Sequence, residues 1–234
     1  INCNTDGEVQ KVALEVAGKM KKLPYGVPQH YVEVGKTYLI TDVGKVPLKV
    51  FGNHNLMNLE GARMVCNQLN ISNADFYTAI SSFKGASNRL EIIAEKPGFN
   101  AYRDFAHAPS KLKATIGAVK EQFPARKLIA CFELHTYSSL NKDFLGQYAD
   151  SMEKADVAVV YFSPHALELK KLPMLSPDDI KKSFGKSGLL VFSDSVHFQE
   201  FLLAQSWKDT NLLLMSSGNF DGMQVKDFAE NLKV

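Results

Sequence analysis

The sequence LIACF at residues 128–132 decides the fold class. Five apolar residues in succession give a strand no polar face, so such a strand has to be covered on both sides. The sequence VAVV at residues 157–160 repeats this pattern. Continuously apolar strands are typical of parallel sheets with helices on both faces, and we therefore expect an α/β architecture with a mainly parallel sheet.

In the part of the chain around these two apolar runs, predicted strands alternate with predicted helices. Apolar and β-branched runs predict strands at residues 101–105, 127–132, 157–162, 189–192 and 212–215. Helical spacing of apolar residues predicts helices at residues 110–123, 144–155, 177–184, 196–205 and 224–232. This alternation is typical of a Rossmann-like, doubly wound domain, which we place at residues 97–234.

The first part of the chain has a different pattern. Apolar residues at intervals of three and four predict helices at residues 6–22, 54–69 and 74–83. Short β-rich runs at residues 31–34, 37–41 and 47–51 predict antiparallel hairpins, and a further strand is expected at residues 89–94. Because Pro97 and Gly98 break either kind of element, residues 1–96 form the expected first domain.

Composition limits the class of protein and of partner. Hydrophobic residues make up 45% and charged residues 22%, as in ordinary globular proteins, and the net charge of +2 gives no basic stripe for nucleic acid. No apolar run reaches the roughly 18 residues of a membrane helix, so no membrane association is expected. Cys3, Cys66 and Cys131 lack disulfide or zinc-site spacing, which favours the reducing cytoplasm.

Two three-residue sequences that begin with glycine resemble part of a phosphate-binding loop. The sequences GKT at residues 35–37 and GKS at residues 185–187 match the end of a P-loop, but positions 30 and 180, where that motif needs glycine, hold His30 and Ile180. A strand also follows Gly35, so a hairpin turn is the better interpretation there. No G-x-G-x-x-G motif occurs either, which argues against a dinucleotide-dependent oxidoreductase.

Two segments carry side chains suited to a nucleotide. His54, Asn55 and Asn58 share one face at a predicted helix start, and an amide offers the donor and acceptor that an adenine edge requires. Alternatively, Asn53 or Asn55 only caps the helix and the other side chains lie on the surface. Asp104 ends a predicted strand, where carboxylates bind ribose hydroxyls in doubly wound folds, although such strand-to-helix turns are also common without a ligand.

Four sequence blocks together resemble the Mur ligases, which join an amino acid or peptide to a UDP-N-acetylmuramic acid carrier in bacterial cell-wall synthesis. In chain order the blocks are G-x-H-N-x-x-N at residues 52–58, F-x-G at residues 83–85 followed by Arg89, D-F-A-H-x-P at residues 104–109, and FELHTYS at residues 132–138. The resemblance covers nearly the whole chain. It implies that residues 1–96 are the end of the family's central ATPase domain and residues 97–234 its third domain, which receives the incoming amine substrate.

The resemblance also implies an ATP-dependent reaction. ATP with Mg²⁺ phosphorylates the carboxylate of the carrier, and the amine of the incoming group attacks the resulting acyl phosphate to give an amide. The family's P-loop, UDP-binding domain and metal-binding residues would lie upstream of this sequence. We therefore expect this chain alone to be inactive, and we assign no catalytic residue and no metal ligand within it.

The family's binding residues carry over by position as two sets. The expected ATP-binding residues are His54, Asn55, Asn58, Arg89, Asp104 and His107. The expected amine-substrate-binding residues are His135, Thr136, Tyr137, Ser138, Ser139, Ser217, Gly218 and Asn219.

Departures from the family pattern bear on the amine substrate. Thr136 stands where alanine-adding members have Arg, and the D-N-P-R motif of the diaminopimelate-adding branch is absent. The resemblance is closest to the branch that attaches the L-Ala-γ-D-Glu-meso-diaminopimelate tripeptide to UDP-N-acetylmuramate in peptidoglycan recycling. The L-alanine-adding enzyme is the alternative, and a non-catalytic nucleotide-binding module is the alternative from another class. The oligomeric state stays open.

Overall fold

The computed structural model describes residues 1–16 and 20–234, and the chain forms two compact units, Ile1–Gly85 and Ala86–Val234. The division falls earlier in the chain than residues 96 and 97, where the sequence places it. The reason is that the strand Glu91–Lys96 pairs antiparallel with Phe99–Asp104. Pro97 and Gly98 form the hairpin turn between these two strands, with Gly98 at a φ of 76°, rather than a link between domains.

In its described residues, 1–16 and 20–85, the first unit combines short strands with three helices. Its strands are β1 (Asn2–Cys3), β2 (Pro24–Tyr25), β3 (His30–Glu33), β4 (Lys36–Thr41) and β5 (Gly44–Leu48), and its helices are α1 (Gly7–Glu15), α2 (Asn53–Gln68) and α3 (Asn73–Ile80). Strands β1 and β2 form a parallel pair, and β3, β4 and β5 form an antiparallel meander. Buried side chains such as Leu39, Leu56, Leu59 and Phe76 make its core.

Strands β3 and β4 are joined by a two-residue turn, Val34-Gly35. Both residues have positive φ angles, 49° and 70°, as a type I′ hairpin turn requires. Glu33 pairs with Lys36 across the turn. The prediction of a hairpin turn at Gly35 is thereby confirmed.

Helix α1 is shorter than the sequence predicts. It ends at Glu15, Val16 has extended backbone angles, and residues 20–22 are not helical, while residues 17–19 of the predicted helix lie outside the described residues. No residue of α1 is buried. Because most helical stability in proteins comes from packing an apolar face, the apolar spacing alone does not extend the helix to residue 22.

The second unit is built on a six-stranded sheet. Its strands are β6 (Glu91–Lys96), β7 (Phe99–Asp104), β8 (Lys127–Leu134), β9 (Val157–Phe162), β10 (Leu190–Phe192) and β11 (Thr210–Met215). Its helices are α4 (Pro109–Gln122), α5 (Lys142–Leu145), α6 (Pro164–Leu169), α7 (Pro177–Phe184), α8 (Ser195–Leu203) and α9 (Val225–Asn231). The strand order is β10-β9-β8-β11-β7-β6, and all neighbours are parallel except β6 and β7. The predicted α/β class with a mainly parallel sheet is confirmed.

Strand β8 is covered on both faces, as its apolar sequence predicts. Ile129 and Cys131 belong to a core cluster with Phe198 of α8 and Trp207. Successive strand residues point to opposite sides, so Phe132 faces the other way. Its ring contacts Tyr148, which in turn stacks on Phe184 of α7 with ring centroids 5.2 Å apart.

The helix predicted at residues 144–155 is wrong over most of its length. Helix α5 ends at Leu145, a 3₁₀ turn follows at Gly146–Tyr148, and Asp150 has a left-handed φ of 58°. A left-handed residue cannot continue an α-helix, so the chain turns there. The sequence also missed α6, whose N-cap is the Ser163 side chain.

Gly185 caps the C-terminus of helix α7, and its left-handed conformation allows a test by mutation. Gly185 has a φ of 67°, whereas Gly146 has a φ of −59°, and an added Cβ meets no atom within 4 Å at either position. We expect Gly185→Ala to lower the free energy of unfolding by about 1 kcal/mol, because a Cβ disfavours this backbone region. Gly146→Ala is the matched control and should be neutral or stabilising by up to about 1 kcal/mol. Equal effects in urea denaturation would contradict this account.

Candidate functional site

The loops that follow β7, β8 and β11 carry most of the predicted binding residues of the second unit. These three strands are neighbours in the order β8-β11-β7 and run parallel. Their carboxyl ends therefore meet at one edge of the sheet, where doubly wound folds bind ligands. His107 follows β7, residues 135–139 follow β8, and residues 217–219 follow β11.

A buried carboxylate ties two of these loops together. Glu133, near the end of β8, is 2% exposed and accepts hydrogen bonds from the hydroxyl of Ser216 and, at 2.8 Å, from the backbone N–H of Phe220. His135 Nδ1 lies 3.5 Å from the other carboxylate oxygen. Glu133 therefore holds the loop after β11 against β8. This role of Glu133 was not predicted from the sequence, although a carboxylate inside an apolar strand is a usable signal.

The loop after β11 lies directly against His135. A Cβ built at Gly218 would come within 2.7 Å of His135 Nδ1, and the Gly218 N–H donates to Ser216 Oγ at 2.6 Å. Such a close approach of backbone to an imidazole requires glycine. His135 and Gly218, both expected to bind the amine substrate, are thus brought into contact.

Residues 136–139 form a turn closed by their own hydroxyl groups. Thr136 Oγ1 bonds Ser139 Oγ at 3.0 Å, lies 3.2 Å from Ser138 Oγ, and accepts the Ser139 N–H at 3.1 Å. Ser139 is fully buried, and Tyr137 is exposed with Lys170 Nζ 5.5 Å from its ring centroid. These side chains shape the turn after β8, and a substrate contact for them stays a prediction.

Arg89 lies in a backbone segment held by two carboxylates. Its neighbours Asn88 and Leu90 have positive φ angles of 57° and 43°, which is unusual for a bulky residue such as leucine. Glu91 accepts the Asn88 N–H at 2.8 Å, and Asp104 accepts the Leu90 N–H at 2.7 Å. Strained backbone persists only where surrounding groups hold it in place. Here the two carboxylates hold the segment so that the Arg89 side chain is exposed.

Asp104 and His107 lie in the same cluster as Arg89. Asp104 is 5% exposed and also accepts the Ala106 N–H at 2.7 Å. His107 Nδ1 lies 2.9 Å from the Phe105 carbonyl oxygen, which can only accept, so that nitrogen carries the proton. The Phe105 ring connects the cluster, because it packs edge-to-face with His107 and lies 5.6 Å below the Arg89 guanidinium.

The other three expected ATP-binding residues lie in the first unit, in the first two turns of α2. His54 and Asn55 are half-buried and Asn58 is exposed. The helix begins after Gly52, whose φ is 86°, and no side chain caps it. Asn55 Nδ2 donates to the Phe51 carbonyl at 2.9 Å, so this amide anchors the preceding chain instead of capping the helix.

A pocket of about 340 Å³ opens at the carboxyl edge of β7 and β11. Its polar lining residues are Asn88, Arg103, Ser216, Ser217, Asn219, Gln224, Lys226 and Asp227, together with the backbone of Gly218. Its apolar lining residues are Phe105, Leu214, Phe220, Met223 and Val225. Three of the expected amine-substrate residues, Ser217, Gly218 and Asn219, therefore line one cavity.

Two ionisable side chains beside this edge have shifted pKa values. The N–H of Asn88 and then the Arg103 guanidinium hold the pKa of Glu91 below its ordinary value, against the effect of burial. Burial, followed by the carboxylates of Asp221 and Glu133, raises the pKa of Tyr161. Glu91 is therefore ionised and Tyr161 neutral at pH 7.

Residues 1–16 and 20–234 contain no group of three His, Cys, Asp or Glu side chains placed to hold a metal ion. Within that same described part, no helix is both long enough and apolar enough to cross a membrane.

Removing the Glu133 carboxylate should loosen the loop after β11. Glu133→Ala leaves two donors without their acceptor, so we expect the free energy of unfolding to fall by about 2–4 kcal/mol in urea denaturation. Glu133→Gln keeps one acceptor oxygen and should cost about 1–2 kcal/mol. Glu121→Ala, at an exposed ion pair with Lys154, is the control and should cost less than about 0.5 kcal/mol. A Glu133→Ala loss no larger than the control's would show that the carboxylate does not hold the loop.

Comparisons with known proteins agree with this architecture. Residues 88–218 match the family described as Mur ligase, glutamate ligase domain. The UDP-N-acetylmuramate–L-alanine ligase of Caldicellulosiruptor bescii is 36% identical over 115 residues, which cover 49% of this chain and 25% of that protein. The aligned part of this chain therefore spans about a quarter of the length of that relative.

Two solved structures share the fold. The UDP-N-acetylmuramate-alanine ligase from Thermotoga maritima aligns with a TM-score of 0.65 and 20% identity, over 86% of this chain and 44% of that one. The murein peptide ligase from Psychrobacter arcticus aligns with a TM-score of 0.53 and 20% identity, over 88% of this chain and 45% of that one. The family match at residues 88–218 covers more than half of this chain, and the chain therefore belongs to the Mur ligase family.

Proposed function

We propose that the whole protein containing this chain is an ATP-dependent amide ligase that attaches the L-Ala-γ-D-Glu-meso-diaminopimelate tripeptide to UDP-N-acetylmuramate. The observation that carries this proposal is the pocket of about 340 Å³ lined by Ser217, Gly218 and Asn219. Its volume lies within the usual range of ligand pockets, about 300–1,000 Å³. A single alanine would leave most of it unfilled, whereas a peptide would fill it.

The cluster around Phe105 suits a nucleotide. The Arg89 guanidinium offers a planar fork of donors that matches phosphate or ribose oxygens. The Asp104 carboxylate accepts the N–H groups of Leu90 and Ala106 at the carboxyl end of β7, and doubly wound folds bind ribose hydroxyls with carboxylates at this edge of the sheet. His107 packs against the same Phe105 ring. In the first unit, the amides of Asn55 and Asn58, with His54 beside them, would suit an adenine edge. ATP with Mg²⁺ supplies the phosphoryl group that activates the carrier carboxylate.

The reaction consists of two transfers. A carboxylate oxygen of UDP-N-acetylmuramate attacks the γ-phosphorus of ATP, and ADP leaves. The tripeptide amine then attacks the acyl carbon, the new C–N bond forms, phosphate leaves and the nitrogen loses a proton. In this scheme the loops after β8 and β11, with His135 against Gly218, orient the amine near the activated carbon.

This chain would supply only part of that machinery, in the cytoplasm. It contains no P-loop sequence, and phosphoryl transfer requires groups that hold the phosphates and the metal. We therefore infer that residues 1–234 do not catalyse the reaction alone.

Two alternatives remain with specific support. The name of the C. bescii relative supports UDP-N-acetylmuramate:L-alanine ligase activity, while Thr136 in place of the arginine of alanine-adding members speaks against it. A non-catalytic nucleotide-binding module would explain a chain that lacks the P-loop. A G-x-x-x-x-G-K-[ST] segment upstream in the full-length protein would favour the ligase.

The deciding measurement is ligation by the full-length protein. UDP-N-acetylmuramate and ATP are supplied with either L-alanine or the tripeptide, and phosphate release and product mass are followed. We expect turnover with the tripeptide and at least about a hundredfold lower kcat/KM with L-alanine, because most pocket contacts would be lost. Turnover with L-alanine alone would establish the alternative ligase. No turnover with either substrate would favour the binding module.

A further inference from the structure

We propose that Arg103 and the pocket around it bind a free carboxylate of the incoming peptide, remote from the amine that reacts. The proposal rests on the proposed function, because it names how the same pocket recognises its substrate. It assigns a binding role to a residue outside both predicted sets.

The first observation is the unused hydrogen-bonding capacity of Arg103. This residue precedes the last residue of β7, and its Nη2 bonds Glu91 Oε2 at 2.9 Å. Its Nε is shielded from solvent and has no hydrogen-bond partner among the described residues. A guanidinium carries five N–H donors in a fixed fork, and buried donors are normally paired. After a small rotation of the Arg103 side chain, an acceptor atom of a ligand would pair with Nε.

A second lining residue has the same property. Ser217 Oγ is also shielded and unpaired within residues 1–16 and 20–234. Ser217 and Arg103 both line the pocket, although Ser217 follows β11 and Arg103 lies on the neighbouring strand β7. Two unpaired polar groups around one cavity indicate a polar ligand rather than a purely apolar one.

The charged side chains that line the pocket favour an anionic ligand. Arg103 and Lys226 are cationic, and Asp227 is the one carboxylate among the lining residues. Asn88 and Asn219 add amide groups, which can donate as well as accept. A carboxylate or a phosphate would match these donors, and the paired N–H groups of arginine suit either.

The position of the pocket favours the peptide over the nucleotide as the source of that anion. Ser217, Gly218 and Asn219 line it, whereas Arg89, Asp104 and His107 do not. The tripeptide carries free carboxylates on its glutamyl and diaminopimelyl residues, at a distance from its alanyl amine. The apolar side chains of Met223 and Val225 would contact the aliphatic stretch between the amine and these carboxylates.

The test compares Michaelis constants of the full-length protein. Arg103→Lys keeps the positive charge beside Glu91 but lacks Nε and the planar fork, so the fold should be retained. We expect the KM for the tripeptide to rise about tenfold, with the KM for ATP and for UDP-N-acetylmuramate changed less than twofold. Lys111→Ala, an exposed cation on α4, is the matched control and should change none of the three.

A modified substrate gives a second, independent readout. A tripeptide amidated at its glutamyl and diaminopimelyl carboxylates should bind the wild-type protein about tenfold more weakly than the native tripeptide. The Arg103→Lys protein should distinguish the two peptides much less, because the interacting partner is already altered.

Each contrary outcome has one meaning. An unchanged tripeptide KM in Arg103→Lys would overturn the proposal, and a raised KM for ATP alone would assign the pocket to a nucleotide phosphate. If the wild-type protein shows no turnover, the proposed function has failed, and calorimetric binding of the tripeptide decides the inference separately. Equal affinities of the wild-type and Arg103→Lys proteins would then overturn it as well.

Discussion

The carboxyl edge of the sheet depends on the buried carboxylate of Glu133. Placing a charged group at the end of an otherwise apolar strand is costly unless donors surround it. The Ser216 hydroxyl and the Phe220 N–H supply these donors, and both come from the loop after the neighbouring strand β11. The hydrogen bonds that stabilise the buried carboxylate therefore also fix the loop after β11. This loop places Gly218 against His135 and forms one wall of the pocket.

A second carboxylate, Asp104, organises the adjacent loop in the same manner. Its two oxygens accept the N–H groups of Leu90 and Ala106, so one side chain fixes the segment before β6 and the segment after β7. Arg89 and Phe105 are the chain neighbours of these two fixed residues, and the contact between them would be lost if either segment moved. Both carboxylates accept backbone N–H groups, so each of them fixes the course of the main chain.

The sequence predicted the elements whose burial is uniform and missed those that depend on local geometry. The run at residues 128–132 is apolar throughout, so β8 and the parallel sheet could be predicted from it. The helix predicted at residues 144–155 failed because its apolar spacing is interrupted by the left-handed Asp150, which composition does not reveal. The family resemblance assigned roles to His107, His135 and Gly218, yet it gave none to Glu133 or Arg103. Their importance arises from partners distant in sequence, such as Ser216 and Glu91.

Strand β7 shows how one strand end can contribute to two binding regions. Arg103 and Asp104 are consecutive, and the period of two in a strand sends their side chains to opposite faces of the sheet. Asp104 consequently holds the segment that carries Arg89, while Arg103 lines the pocket beside α9. Glu91 couples the two regions, since its carboxylate binds both the Asn88 N–H and the Arg103 guanidinium. A ligand that draws Arg103 away from Glu91 would therefore alter the support of the segment next to Arg89.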